Sequence, residues 1–369
     1  MVMGLFKVGD IVDESEPFAH VLNDDLKGER CDYCFKLCES LSRCSNCKWM
    51  YYCDKRCQLS DWKTAHKYEC KEYKLDIDRD SKLFIRAPFT RLLLRLLFII
   101  SKNPARATQM FKTYNEKERC FNDLMDHVED IKLNEKSTRW YLAQETFNRF
   151  CCIGSLNVDA NQFFSTFGKI VINSFSILNI SLNEIGTGLY MSASIFDHDC
   201  QPNCSPIFDG VKLSIRCVRN FDSLKEPATI TYIDLKLPRD ERLLKLKDQY
   251  YFDCTCTRCS IDEEDTIGRR LIELNEKFDD YIESGNWVKA FTMGLKTLPL
   301  YEKIYKTYYA DFTVQLMRLA KIRANIVNGP QDSDELVFLI NRLQQAIQIT
   351  HGKDHPMYKE EFAQLTGLA

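Results

Sequence analysis

The chain has 369 residues, 45 % of them hydrophobic, which is enough for two or three domains with buried cores. Charged residues make up 28 % and the formal net charge is −3, which excludes both a disordered chain and a protein drawn to nucleic acid by bulk charge. The opening MVMGLFKVGD has no basic stretch followed by a long apolar run, so no signal peptide is expected.

In chain order, the first informative segment is rich in metal-ligand residues. With nothing directing secretion, the clustered cysteines among the 17 are better read as metal ligands than as disulfides. From Cys31 the chain reads CDYC, then CSNC at Cys44 to Cys47, Cys53-x3-Cys57, and finally His66-x3-Cys70. Zinc takes four ligands in a tetrahedron, so four short pairs imply two ions. An interleaved arrangement assigns Cys31, Cys34, Cys53 and Cys57 to one ion. Cys44, Cys47, His66 and Cys70 hold the other. A segment this small has too little core to fold alone, so metal supplies the folding energy. Lys48, Trp49, Tyr51, Trp62 and Lys67 form either an amphipathic binding face or, for the tryptophans, simple packing of the module.

The most apolar window, Leu83 to Ile100, contains Arg86, Pro88, Arg91 and Arg95. Three arginines make a membrane span too costly, and a buried helix with an amphipathic edge is expected. The charged stretch NEKERCFNDLMDHVED and a helix from Trp140 to Phe150 extend this helical insert. A β-rich segment follows, with EIGTGLYMSASIFDHDCQPNC, VKLSIRCVRNF and EPATITYID, and then LLKLKDQYYFDCTCTRC. Cys204 with Cys254, Cys256 and Cys259 again makes four thiolates, enough for a third structural zinc. That ion would clamp the segment after Tyr250 over Tyr232, Tyr250 and Phe252. The remaining thiols, Cys38, Cys120, Cys151, Cys152, Cys200 and Cys217, fit no spacing and read as ordinary small side chains. Beyond Asp262 strand signals vanish. Helices are expected at 267–284, 287–298, 301–328 (broken) and 334–351, with a short one after Pro356, punctuated by Gly285, Gly329-Pro330 and Gly352.

The first cluster, with KWMYYC and CQLSDWKTAHKYEC, resembles a MYND zinc finger, a module that binds short proline-rich peptides and in some proteins contacts DNA. The second resembles the C-terminal half of a SET domain with its post-SET loop. The chain as a whole resembles the SET and MYND domain (SMYD) lysine methyltransferases. That resemblance implies an α+β fold: a β-rich SET domain split by the finger, a helical insert, a cysteine-rich post-SET segment and a tetratricopeptide-like helical C-terminal domain. The boundaries expected are 1–30, 31–70, 71–160, 161–240, 241–261 and 262–369. It also implies transfer of a methyl group from S-adenosylmethionine to protein lysines, histone or other. Phe175, Tyr190, Tyr232 and Tyr250 would then line the lysine channel, with Tyr232 as the catalytic hydroxyl. His127, Asn173, Ser194, Asp197, His198, Tyr232, Tyr250 and Phe252 would contact the cofactor, His198 through its ring or its backbone.

Two departures from the family pattern stand out. The family's Gly-x-Gly loop has no counterpart before VGDIV, where Gly4 is the only nearby glycine, so part of the cofactor wall is expected to be missing. Asp197 stands where the family has asparagine, which places a negative charge beside the cofactor's methionine end. An ionised carboxylate there is expected to weaken binding by about one to a few kcal/mol. The competing reading is a weak or inactive SET-MYND scaffold that binds proline-rich partners through the finger. A zinc hydrolase is excluded because every ligand set is filled, leaving no position for water. Nucleic-acid contact by the finger stays open. A monomer without membrane association, in the nucleus or cytoplasm, is expected.

Overall fold

The computed structural model describes residues 4–78, 87–134, 138–151, 153, 156–261, 266–306, 308–326 and 329–367. Arg86, Cys152 and the start of the apolar window lie outside the described residues. Strands and helices are mixed in the α+β class expected, with a helical C-terminal region.

Two small antiparallel sheets form the β-rich centre. In one, the strand Cys204–Asp209 pairs with Lys212–Cys217, which pairs in turn with Ile11–Ser15. In the other, Ala19–Leu22 and Ser174–Leu178 flank Glu184–Leu189. Segments nearly two hundred residues apart are thus neighbours, and the finger and insert leave from the gap between them. VGDIV turns as expected, with Gly9 at φ 94°. Asp197–His198 pairs in parallel with Thr229–Ile230. Asn203 holds this crossing together: its side-chain oxygen accepts from the Thr229 amide at 2.7 Å, and its amide donates to the Pro227 carbonyl at 2.9 Å.

The apolar window forms the helix Pro88–Lys102, with proline at its first turn. It is buried nearly all round, and both of its described arginines are inside. Arg95 grips the Glu69 carboxylate with two bonds of 2.8 and 2.9 Å and reaches Asp61 at 3.2 Å. Arg91 donates to the Leu22 carbonyl and to Asp24, each at 2.7 Å. Glu69 and Asp61 belong to the finger, so the arginines that rule out a membrane span instead bolt finger to helix through desolvated pairs. No helix among the described residues is long and apolar enough to cross a membrane.

The stretch NEKERCFNDLMDHVED is mostly not helical. Its Glu118–Arg119 segment closes a hairpin with the preceding Phe111–Lys112, turned at Glu116 (φ 63°); a single 3-10 turn follows at Phe121–Asp123, and α-helix begins only at Val128. Thr113 donates to Asn115 at 2.7 Å, a local bond that competes with helix formation. The C-terminal helices run Thr266–Glu283, Trp287–Tyr305, Ala310–Asn325 and Pro330–Thr350. Pro299 sits inside the second, and the break falls after Tyr305, where Lys306 takes φ 58°, rather than before Tyr301. The C-terminal region docks on the β-rich centre through His355, just past the last of these helices, which donates to the Phe208 carbonyl at 2.9 Å, and through Asp311 of the third helix, which pairs at 2.7 Å with Lys236 beyond the Thr229–Ile230 strand.

Candidate active site and metal centres

The finger brings together the two quartets expected, Cys31, Cys34, Cys53 and Cys57, and Cys44, Cys47, His66 and Cys70. In each, the ligand atoms lie within 4.8 Å of one another. A tetrahedral zinc with bonds of about 2.3 Å places sulfurs about 3.8 Å apart. Cys34 and Cys53 are 3.7 Å apart, as are Cys44 and Cys70, so the donor sets fit zinc. Local sequence shapes both. Each C-x2-C turn closes on a residue in the left-handed region, Phe35 (φ 62°) and Lys48 (φ 55°), whose amides donate back to the Cys31 and Cys44 carbonyls. The Asp54 carboxylate caps the next helix by accepting from the Cys57 amide at 2.7 Å. His66 ends a π-turn, Trp62–His66, that swings it toward Cys47. Trp49 packs inward, with Lys27 4.0 Å and Arg91 4.8 Å from its ring, whereas Trp62 is exposed.

The third quartet corrects the sequence assignment. It is Cys200, not Cys204, that joins Cys254, Cys256 and Cys259, with its sulfur 3.5 Å from that of Cys259. Cys204 opens a strand, lies opposite Cys217 and is fully buried in the sheet core. Cys200 sits four residues earlier, in the loop that faces the thiols of Cys254, Cys256 and Cys259.

Beside this quartet opens a cavity of about 1040 Å³. His127, Asn173, Phe175, Ser194, Asp197, His198, Tyr232, Tyr250 and Phe252 all line it. Tyr190 does not. It is buried behind the wall, edge-on to Phe175 at 5.7 Å, and its hydroxyl donates to the Val211 carbonyl at 2.6 Å. It therefore supports the cavity from the core and does not face it.

The aromatic side of the cavity is tightly arranged. The Tyr232 and Tyr250 rings are 4.9 Å apart, and the Tyr232 hydroxyl donates to the Phe196 carbonyl at 2.5 Å. Burial, with the Asp197 charge adding to it, pushes the Tyr232 phenol well above its ordinary range, so it stays neutral. Burial likewise moves Tyr250 up to about 12. The helix Arg239–Tyr250 ends at Tyr251 (φ 60°), and this left-handed residue redirects the chain so that Phe252 also reaches the cavity.

His198 is engaged through both ring nitrogens. Nδ1 accepts from the Tyr232 amide at 3.0 Å, so the proton resides on Nε2, which points at the Cys200 sulfur 3.2 Å away. Burial lowers this ring to about 4, consistent with a neutral imidazole. Only its backbone remains for a ligand.

On the opposite wall, Asn173 donates to the Met125 and Lys169 carbonyls, each at 2.9 Å, and so fixes the loop that bears His127. The His127 ring stacks on Tyr251 at 5.4 Å. That loop lies close against the helix Ala160–Asn173 because position 168 is glycine: a Cβ there would lie 2.0 Å from the Asp126 carbonyl oxygen. Tyr309, Ala310 and Asp311 from the C-terminal helices also line the cavity.

Sequence reasoning missed Arg119. It follows the hairpin turn in a stretch read as helical, and its guanidinium donates to the Ser194 carbonyl at 2.7 Å on the cavity wall. No spacing motif marks it.

A zinc-finger module set beside a crossed-loop β domain, with a cysteine quartet closing an aromatic cavity, defines a SET-type protein carrying a MYND finger. The family model of the MYND finger matches residues 31–70. The chain is 32 % identical to human histone-lysine N-methyltransferase SMYD3, over 95 % of this chain and 90 % of the relative. It is 33 % identical to the mouse SMYD3 enzyme over 70 % of this chain and 58 % of the relative, and 23 % identical to human N-lysine methyltransferase SMYD2 over 96 % and 92 %. The chain belongs to the SMYD family.

Proposed function

We propose that this protein is an S-adenosylmethionine-dependent protein-lysine N-methyltransferase, acting on histone or other protein lysines in the nucleus or cytoplasm. The observation that carries the reading is the cavity itself, in which Tyr232, Tyr250, Phe252 and the Asp197–His198 strand converge beside a thiolate quartet. Its volume of about 1040 Å³ exceeds what one drug-sized ligand needs, leaving room for a cofactor and an incoming side chain. Bound there, S-adenosylmethionine supplies an electrophilic sulfonium methyl.

The chain's own residues would do the rest. Tyr232 and Tyr250, 4.9 Å apart, offer ring faces to a lysine stem and to a cationic centre. Their placement would hold the neutral amine in line with the methyl group, whose transfer would form the N–C bond as the C–S bond breaks, with one proton lost from the nitrogen to solvent. Phe252 would stack near the adenine, and Asn173, Ser194 and the His198 backbone would hold the rest. Three zinc ions would occupy the quartets. The finger remains available to a proline-rich peptide, with exposed Trp62 on its outer face.

The test is calorimetric titration of the zinc-loaded chain with S-adenosylmethionine, followed by methyl transfer to histones and lysine peptides. Micromolar binding and transfer, with Tyr232→Phe retaining binding while turnover falls, support the reading. Absence of binding at millimolar cofactor refutes it.

A further inference from the structure

The feature left unexplained is the charge balance where Asp197 replaces the family's asparagine. Asp197 is exposed to the cavity, and Arg119 lines the same cavity. Among the described residues Arg119 bonds only to carbonyl oxygens, Ser194 at 2.7 Å and Asp123 at 3.5 Å. No direct ion pair joins Arg119 and Asp197, yet each acts on the charges around Tyr232, Asp197 raising the phenol and Arg119 lowering it. Two opposite charges thus face one cavity without neutralising each other by contact. Such a pair suits a zwitterion: a carboxylate beside the guanidinium and an ammonium beside the carboxylate.

We infer that Arg119 and Asp197 together anchor the amino-acid end of the cofactor, Arg119 taking its carboxylate and Asp197 its ammonium. This inference rests on the proposed methyltransferase reading. Arg119 offsets the repulsion that Asp197 alone would exert, so the aspartate is a working half of the pair. The planar fork of Arg119 matches a carboxylate in a way that a lysine does not. Fixed to the Ser194 carbonyl, it is already positioned before ligand arrives.

The test titrates the full, zinc-loaded chain with S-adenosylmethionine and with its decarboxylated analogue, which keeps ammonium, sulfonium and adenosine but lacks the carboxylate. A charge-assisted bond predicts that the wild type prefers the intact cofactor by about 10-fold or more. Arg119→Met should lose that factor for S-adenosylmethionine and little for the analogue, abolishing the preference. Arg119→Lys should retain part of it. Asp197→Asn should tighten S-adenosylmethionine more in the Arg119→Met background than in the wild type, because there the aspartate repels unopposed. Equal wild-type affinity for both ligands, or a preference that survives Arg119→Met, overturns the inference while leaving the methyltransferase reading intact. A wild type that binds neither ligand overturns both. Should Arg119→Met bind neither, Arg119→Lys decides: partial preference supports the pair and equal binding of both ligands overturns it.

Discussion

Replacing Cys200 by serine removes one of four thiolates from the quartet with Cys254, Cys256 and Cys259, whereas replacing Cys204 by alanine should leave that quartet whole. The two substitutions lie four residues apart, and sequence spacing alone does not tell them apart. Structural zinc sites in finger peptides bind with roughly 10–16 kcal/mol, so losing a quarter of the ligands costs about 3 kcal/mol or more. That is about a hundredfold in zinc affinity. Cys204 is fully buried in the sheet core, and trimming it to alanine removes one atom's packing, about 1 kcal/mol of stability.

The assay is metal content after dialysis against a chelator. Wild type and Cys204→Ala should retain three zinc ions per chain, one for each quartet, and Cys200→Ser two. Cofactor affinity should fall with the third zinc, because Tyr250 and Phe252 line the cavity just upstream of Cys254. Retention of three ions by Cys200→Ser, with loss of one by Cys204→Ala, would refute the assignment.

Further outcomes follow from the same geometry. Gly168→Ala should destabilise the fold by about 1–3 kcal/mol and weaken cofactor binding, since the new methyl would meet the Asp126 carbonyl oxygen 2.0 Å away and displace the His127 loop; unchanged denaturant midpoint and affinity would count against that packing. Arg95→Met strands Glu69 and Asp61 in the interior and should cost about 3–5 kcal/mol in urea unfolding; a loss below about 1 kcal/mol would show that the network is not desolvated. Burial, reinforced by the Arg95 charge, holds His20 down to about 4 from an ordinary 6.5. The unfolded chain therefore binds the proton first, so the contribution is whole above pH 6.5 and fades as pH falls toward 4, by about 3 kcal/mol at most. Unfolding of wild type and His20→Gln at pH 7 and at pH 4.5 isolates this difference, and parallel pH dependence in the two would refute it.

The parts legible in the sequence were those with a local code. Short-spaced ligand pairs announced both finger quartets, because a C-x2-C turn needs only four residues to bring its two sulfurs together. Glycine and proline marked the ends of the C-terminal helices for the same local reason. What escaped depends on which way a side chain faces after distant segments pair. Cys204 and Cys200 precede the same downstream thiols, and only the strand ladder to Cys217 turns Cys204 into the core. Tyr190 looked like a channel residue until the sheet placed its hydroxyl against the Val211 carbonyl. Arg119 was concealed because a charged stretch with helical spacing folds as a hairpin, held at its turn by the hydrogen bond from Thr113 to Asn115.

The Cys200 correction also changes what the third metal centre does. With Cys204 as ligand, the zinc would anchor a strand inside the sheet core and would not touch His198. With Cys200 as ligand, the thiolate faces Nε2 of His198, whose other nitrogen accepts from the Tyr232 amide. One imidazole thus links the metal-binding sulfur to the backbone of the tyrosine that the proposed reaction depends on. A single ring carbon, Cε1, separates those nitrogens, so the ring cannot satisfy both partners unless loop and strand hold their spacing. The parallel pairing of Asp197–His198 with Thr229–Ile230 supplies that spacing. The quartet is therefore part of the cavity's framework, and the geometry around Tyr232 depends on a full complement of four thiolates.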